Sequence, residues 1–175
     1  MAGIGEFYGG ILHPFFVLPH VLSLLVLGLL VGQGGLLAMR FAYPPYLLAL
    51  AIGLFIAGFE VQPALPYQEI LLGLAMLCGL GVAAQRPPPA VALAVLAGLL
   101  ALLIGMDSGV TGLERRETFG ALLGCWLGAV VLLIVVAGIT EMAKAGWQQI
   151  AVRIVGSWTV ASAVLVLALA LRPAV

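Results

Sequence analysis

The chain has 175 residues, of which 64% are hydrophobic and 8% are charged, and its formal net charge at pH 7 is zero. This composition, with a mean hydropathy of +1.26, lies far from that of a soluble domain and indicates an integral membrane protein. The lack of net positive charge and of any basic run argues against nucleic acid as a partner.

The N-terminal stretch "MAGIGEFYGG" differs from a secretory signal sequence. It has no basic segment, and no short apolar run ends there in a small-residue cleavage site. We therefore expect that the first hydrophobic run is kept in the mature protein.

The chain carries several apolar runs, and a spanning helix needs about 20 mainly apolar residues. Six such runs lie near 13–38, 45–59, 67–84, 89–106, 118–139 and 150–171. Segments rich in proline or charge separate them, such as "RFAYPPY" at 40–46 and "DSGVTGLERRE" at 107–117. The sequence thus predicts an all-α, polytopic membrane protein, a six-transmembrane-helix bundle that forms one domain over residues 1–175.

The charges that flank the first run predict the orientation. Glu6 precedes this run with no Lys or Arg nearby, and Arg40 follows it directly. Because cytoplasmic flanks are enriched in Lys and Arg, we expect both chain ends outside, in the inner (cytoplasmic) membrane. On this topology His13, Glu69 and Asp107 share the outer face.

Two histidines stand in the first run, within "GILHPFFVLPHVL" at 10–22, and each is next to a proline. An imidazole inside a membrane is costly and tends to face the bundle interior, where it binds metal or relays a proton. The alternative is that His13 is an interfacial residue at a helix start and His20 a core imidazole bonded to a carbonyl.

The spacing of the two histidines bears on a shared role. Seven residues place His13 and His20 on one helical face, about 10.5 Å apart along an undistorted helix. Pro19 inside such a helix would cause a kink or a late helix start. Either the prolines bring the two rings closer, or the rings serve as two successive stations.

Glycines recur every four residues at two places. Gly120, Gly124 and Gly128 form one ridge, and Gly28 with Gly32 repeats the spacing. Such ridges allow close helix approach, either within the bundle or at a homo-oligomer or partner interface.

The sequence gives no sign of an enzyme. Cys78 and Cys125 lie in apolar runs without CxxC spacing, so we interpret them as small packing residues. Ser108 lacks the Gly-x-Ser-x-Gly frame of a serine hydrolase, and no histidine stands near it in sequence.

The segment "HPFFVLPH" at 13–20 resembles the His-Pro-x-x-Gly-x-Asp-His motif of the HupE/UreJ family, the nickel/cobalt permease-like accessory membrane proteins of hydrogenase and urease. His13, Pro14 and His20 match this motif. The run "YQEILLGLAMLCGLGVA" is similar to the family's third helix, with Glu69 matching its acidic residue. The last run, which contains Arg153, is similar to the closing helix, and six helices in the same order also fit.

The chain departs from the family at several polar positions. Val17 and Pro19 replace the Gly and Asp of the first motif, and "GMDSG" at 105–109 replaces a Gly-His-Ala-His-Gly stretch. A histidine expected in the fifth helix is missing as well. The resemblance therefore implies a reduced set of metal ligands, which consists of His13, His20, Glu69 and, as an oxygen substitute, Asp107.

Two functions remain open. The first is a small permease for a divalent transition metal, since imidazole suits nickel, cobalt, zinc and copper. No tightly bound cofactor is expected. The second is a non-transporting structural or accessory subunit of a membrane complex, which the missing ligands favour.

The two acidic residues also have simpler explanations. Glu69 lies in the first turn of a predicted helix, where the helix dipole favours a carboxylate without any metal. Asp107 fits a turn residue in a loop.

Overall fold

The computed structural model describes residues 5–59, 65–110 and 112–171. Within these ranges the protein is all-helical, with seven helices and no strands. The helices are α1 (Glu6–Phe16), α2 (Leu18–Gln33), α3 (Gly35–Ala57), α4 (Tyr67–Ala83), α5 (Ala90–Asp107), α6 (Arg115–Met142) and α7 (Gly146–Ala170).

Four of the described helices, α3, α5, α6 and α7, are long and apolar enough to cross a membrane. The pair α1 and α2 adds a fifth candidate if it forms one span, although the two helices meet at an angle of 70°. Helix α4 is apolar but has only 17 residues. The structure therefore supports a multi-pass membrane protein with four to five clear spans, and it leaves the count of six unconfirmed.

The first predicted run, 13–38, is broken in the structure. Val17 is extended, with φ −84° and ψ 107°, and separates α1 from α2. Pro19 lies in the first turn of α2, where its missing N–H has no helical acceptor to lose. The proline thus marks a new helix start, as its position in the sequence indicated.

The break expected at 40–46 is wrong. The chain turns instead at Gly34 and Gly35, where Gly35 has a φ of +73° that favours glycine. Pro44 and Pro45 lie inside α3. Packing holds the helix together there, because the next residue, Tyr46, is buried and donates its hydroxyl to a carbonyl of α6.

Helix α2 lies at the centre of the bundle. Twelve of its 16 residues are buried, and it packs between α4 and α6. Near its start Ser23 donates to the Leu71 carbonyl at 3.2 Å, and at its end Gln33 donates to the Val82 carbonyl at 3.1 Å. Because α2 and α4 are joined at both ends, the first turn of α2 is held deep in the protein.

Both glycine ridges are used for packing inside the chain. A Cβ on Gly124 or Gly128 would collide with the backbone of α1, and one on Gly28 or Gly32 would collide with α6. A Cβ on Gly120 would meet nothing within 4 Å. The packing interpretation is therefore confirmed for four of the five glycines. The glycines of α6 allow α1 to pack closely against α6.

The predicted orientation is not tested by the structure. Residues 1–4 and 172–175, which hold both chain ends, lie outside the described ranges. The outside location of the ends and the inner membrane stay predictions.

Candidate metal centre at the break between α1 and α2

The two histidines meet across the helix break. His13 lies in the last turn of α1, and His20 lies in the first turn of α2. Their ring centroids are 5.4 Å apart, with an angle of 61° between the ring planes. A continuous helix would separate the residues by about 10.5 Å along its axis. The break at Val17 thus brings the imidazoles together, which is the first of the two arrangements considered from the sequence.

Asp107 reaches the same place from the end of α5. Its Oδ2 lies 2.9 Å from Nε2 of His20, although the two residues are 87 positions apart in the chain. His20 is fully buried, and the side chain of Asp107 is 15% exposed. Asp107 is the last residue of α5 and not a loop residue, and the partner of His20 is a carboxylate and not a backbone carbonyl.

The hydrogen bond to Asp107 sets the roles of the His20 nitrogens. A carboxylate accepts hydrogen bonds, so Nε2 carries the hydrogen and, in the neutral ring, Nδ1 keeps a free lone pair. Among the described residues, buried Nδ1 of His20 has no hydrogen-bond partner, and the same holds for buried Nε2 of His13. An unpaired buried polar atom typically costs about 1–3 kcal/mol. The two rings therefore place two unpaired ring nitrogens next to each other.

A cavity of about 190 Å³ opens next to His13. It lies between α1, α6 and the segment that follows α5, and its polar lining comes from Glu6, His13, Ser108 and Cys125. No residue of α4 is among the described residues that line this cavity. Glu6 is exposed in the first turn of α1, so the cavity has a carboxylate at its edge.

The model of the HupE / UreJ protein family matches residues 1–167. The chain belongs to the HupE/UreJ family. Members of this family are linked to accessory or transport roles for nickel and cobalt. No curated protein and no solved structure matches the chain significantly.

The structure of this HupE/UreJ protein does not bring Glu69 into the cluster. Glu69 is half-buried in the first turn of α4, as the helix-dipole explanation requires. Among the described residues no hydrogen bond or ion pair joins it to either histidine or to Asp107, and it does not line the cavity beside His13. A role for Glu69 in metal binding stays a prediction.

The cluster formed by His13, His20 and Asp107 is not a closed metal site as it stands. In the described ranges no group of three or more His, Cys, Asp or Glu side chains is arranged to hold an ion. Zinc, for comparison, needs imidazole nitrogens at about 2.0–2.1 Å. The arrangement offers two adjacent imidazole rings, of which one is oriented by a carboxylate.

Sequence reasoning missed the polar contact between Cys125 and Ser108. Sγ of Cys125 donates to Oγ of Ser108 at 3.6 Å, and Ser108 donates to the Ile104 carbonyl at 2.7 Å. Both residues are buried, and both line the cavity. Nothing in the local sequence signals this contact, because it depends on how α5 and α6 pack.

Proposed function

We propose that this HupE/UreJ protein binds a divalent transition metal ion as cargo at the histidine cluster and passes it across the membrane. The observation that carries the proposal is the pair of buried imidazole nitrogens that have no partner in the part of the chain the structure describes, on rings 5.4 Å apart. Imidazole is a suitable ligand for nickel, cobalt, zinc and copper.

Each residue of the cluster has a distinct part in the proposal. Nε2 of His13 and Nδ1 of His20 are the ligands. Asp107 accepts the hydrogen bond from Nε2 of His20, fixes the orientation of that ring and raises its basicity, as carboxylates do behind metal-binding histidines. Glu69 adds negative charge at the same end of the bundle.

The proposed topology has six spans. Helices α1 and α2 together form the first, α3 the second, and α4 to α7 the remaining four. Helix α4, with 17 residues, is at the lower limit for crossing the hydrocarbon core. With both chain ends outside, Asp107 and the start of α2 face the outer side of the inner membrane, so the ion enters from there.

A transport assay in proteoliposomes tests the proposal. We expect uptake of nickel or cobalt by the wild-type protein, and loss of uptake in His13→Ala and in His20→Ala. Glu141→Gln is a matched control, because Glu141 pairs with Lys144 at the opposite end of the bundle. Absence of uptake by a folded wild-type protein contradicts the permease assignment.

The second candidate function is a non-transporting accessory or structural subunit. It is favoured by the finding that no three donor side chains in the described ranges are arranged around an ion. This function predicts metal binding without uptake, or neither, and co-purification of the protein with a membrane complex.

A further inference from the structure

A second cavity, of about 270 Å³, lies on the outer surface of the bundle between the end of α4 and the first half of α7. It is lined by the last residue of α4 and by five residues of α7, which are Ala83 and Ile150, Arg153, Ile154, Ser157 and Trp158. Arg153 is the one charged side chain among the described residues that line it, and it has no part in the proposed metal site.

The guanidinium of Arg153 is oriented by α4. Its Nε donates to the Ala83 carbonyl at 2.9 Å. A guanidinium has five N–H donors, and in the described part of the chain this is the only hydrogen bond that the guanidinium makes. The two Nη groups are therefore held in a fixed direction and are available to another acceptor.

The positive charge of Arg153 is not neutralised within the described ranges. No carboxylate there forms an ion pair with it, since the ion pair at this end of the bundle joins Lys144 to Glu141. Helix α7 contains no Asp or Glu, and the only carboxylate of α4, Glu69, lies in its first turn at the opposite end. Arg153 is also exposed, so its charge faces the surroundings of the protein.

The position of Arg153 along α7 makes this charge costly. Trp147, 71% exposed in the first turn of α7, fits the aromatic level at the membrane interface. Arg153 follows six residues later, about 9 Å deeper along the helix. A charge in contact with lipid at this depth is unfavourable unless its long side chain reaches back to the headgroups or meets an anion.

We propose that this cavity binds an anionic phospholipid of the surrounding leaflet. The lipid phosphate accepts hydrogen bonds from the two Nη groups of Arg153, because a planar guanidinium matches phosphate oxygens. Ile154 and Trp158, which lie deeper along α7, contact an acyl chain. Basic cavities between spanning helices bind anionic headgroups in this way. The lipid neutralises Arg153 and supports α7, which packs mainly on α4.

A purely structural role for Arg153 is the alternative. Basic side chains near a helix end stabilise its last carbonyls, and Arg153 does so at Ala83. This role predicts a loss of stability when Arg153 is replaced, whatever lipid surrounds the protein. The lipid site predicts in addition that the protein prefers an anionic lipid and that this preference depends on Arg153.

Native mass spectrometry of the full chain in detergent measures the preference. The probes are phosphatidylglycerol and phosphatidylcholine with identical oleoyl chains, since both carry a phosphate and only the first has a net negative charge. The wild type is expected to retain phosphatidylglycerol about 5-fold better, the effect of one arginine close to an anionic lipid. Arg153→Gln is expected to abolish the preference, and Arg153→Lys to keep part of it.

Arg40→Gln is the matched control. Arg40 is also exposed near the start of an apolar helix, α3, which begins at the same end of the bundle. It lines none of the described cavities. Arg40→Gln is therefore expected to keep the wild-type preference. An equal loss in Arg40→Gln and Arg153→Gln would mean that overall charge and not the cavity attracts the lipid, which overturns the proposed site.

A second measurement needs no variant and covers the case that Arg153→Gln does not fold. Phenylglyoxal modifies accessible arginines, and peptide mapping by mass spectrometry reports each position. Phosphatidylglycerol is expected to protect Arg153 but not Arg40, and phosphatidylcholine to protect neither. Equal modification of Arg153 in both lipids overturns the proposal, as does a wild type without lipid preference. A dimer that is lost in Arg153→Gln, without any lipid preference, overturns it in favour of a second copy of the chain at the cavity.

Discussion

At the scale of single residues, the central feature is the fully buried His20, which has a carboxylate on one nitrogen and, within the described ranges, no partner on the other. This arrangement matches the way proteins prepare a histidine as a metal ligand, with an outer carboxylate that fixes the ring and its tautomer. His13 contributes a second unpartnered nitrogen. The proposed metal site explains why two imidazoles stand in an otherwise apolar run.

Replacing Asp107 tests this role. Asp107→Asn is expected to weaken nickel or cobalt binding by about 10–100-fold, since the neutral amide oxygen accepts the hydrogen bond from His20 more weakly than the charged carboxylate and no longer raises the basicity of the ring. Affinity is measured by calorimetric titration of the folded proteins. Glu141→Gln removes a carboxylate from the opposite end and is expected to leave affinity unchanged. Equal affinity in Asp107→Asn and the wild type would show that Asp107 does not support the site.

Glu69→Gln separates the two explanations of Glu69. Because no described contact joins Glu69 to the histidines, we expect a smaller loss of metal affinity than in His20→Ala. A loss as large as that of His20→Ala would place Glu69 among the ligands.

At the scale of helices, the site depends on two features. The first is the extended Val17 between α1 and α2, and the second is the close packing of α1 on the glycines of α6. Pro19 signalled the first, because proline suits the first turn of a helix and disfavours a continuous one. The close packing of α1 on α6 was visible in the sequence only as glycine spacing. The sequence left open whether these glycines faced another helix of the chain or another molecule.

Gly124→Ala tests the seat of α1. The added Cβ collides with the Phe7 carbonyl, so we expect a loss of about 1–3 kcal/mol in stability, typical of overpacking, together with weaker metal binding. Gly120→Ala, four residues earlier in α6, adds a Cβ into open space and is expected to leave both unchanged or to raise stability slightly. Thermal unfolding in detergent measures the difference. Equal unfolding temperatures for the two variants would contradict the described packing.

The two proline segments show the limit of local signals. Pro19 starts a helix, whereas Pro44 and Pro45, which also predicted a boundary, lie inside α3. What differs is tertiary contact, since α3 packs along α5 and Tyr46 is anchored on α6. The pattern of apolar runs was therefore enough to predict the helical class and the last four helices. It did not predict the position of the turn between the first two predicted runs.

At the scale of the whole molecule, the site is assembled by long-range packing. His20 and Asp107 meet only because the start of α2 and the end of α5 lie at the same end of the bundle. The sequence predicted that His13, Glu69 and Asp107 face one side of the membrane, through the count of spans. It could not predict that Asp107 rather than Glu69 contacts His20, because nothing local specifies which helices are neighbours.

Labelling of introduced cysteines tests the proposed topology. A cysteine at Ala90, the first residue of α5, is expected to react only from inside, and cysteines at Ala2 and Ala174 only from outside. These last two sites lie outside the described ranges, so their location is a prediction from charge alone. The reverse pattern would overturn the orientation, and ends on opposite sides would overturn the count of six spans.

The most direct test of the central claim is a titration of the full chain with nickel or cobalt, comparing the wild type with His13→Ala and His20→Ala after each is shown to fold. If the two unpartnered imidazole nitrogens hold the ion, the wild type binds one ion per chain at this site, and either substitution abolishes the binding. Binding that survives both substitutions, or a folded wild type that binds no ion, would contradict the account.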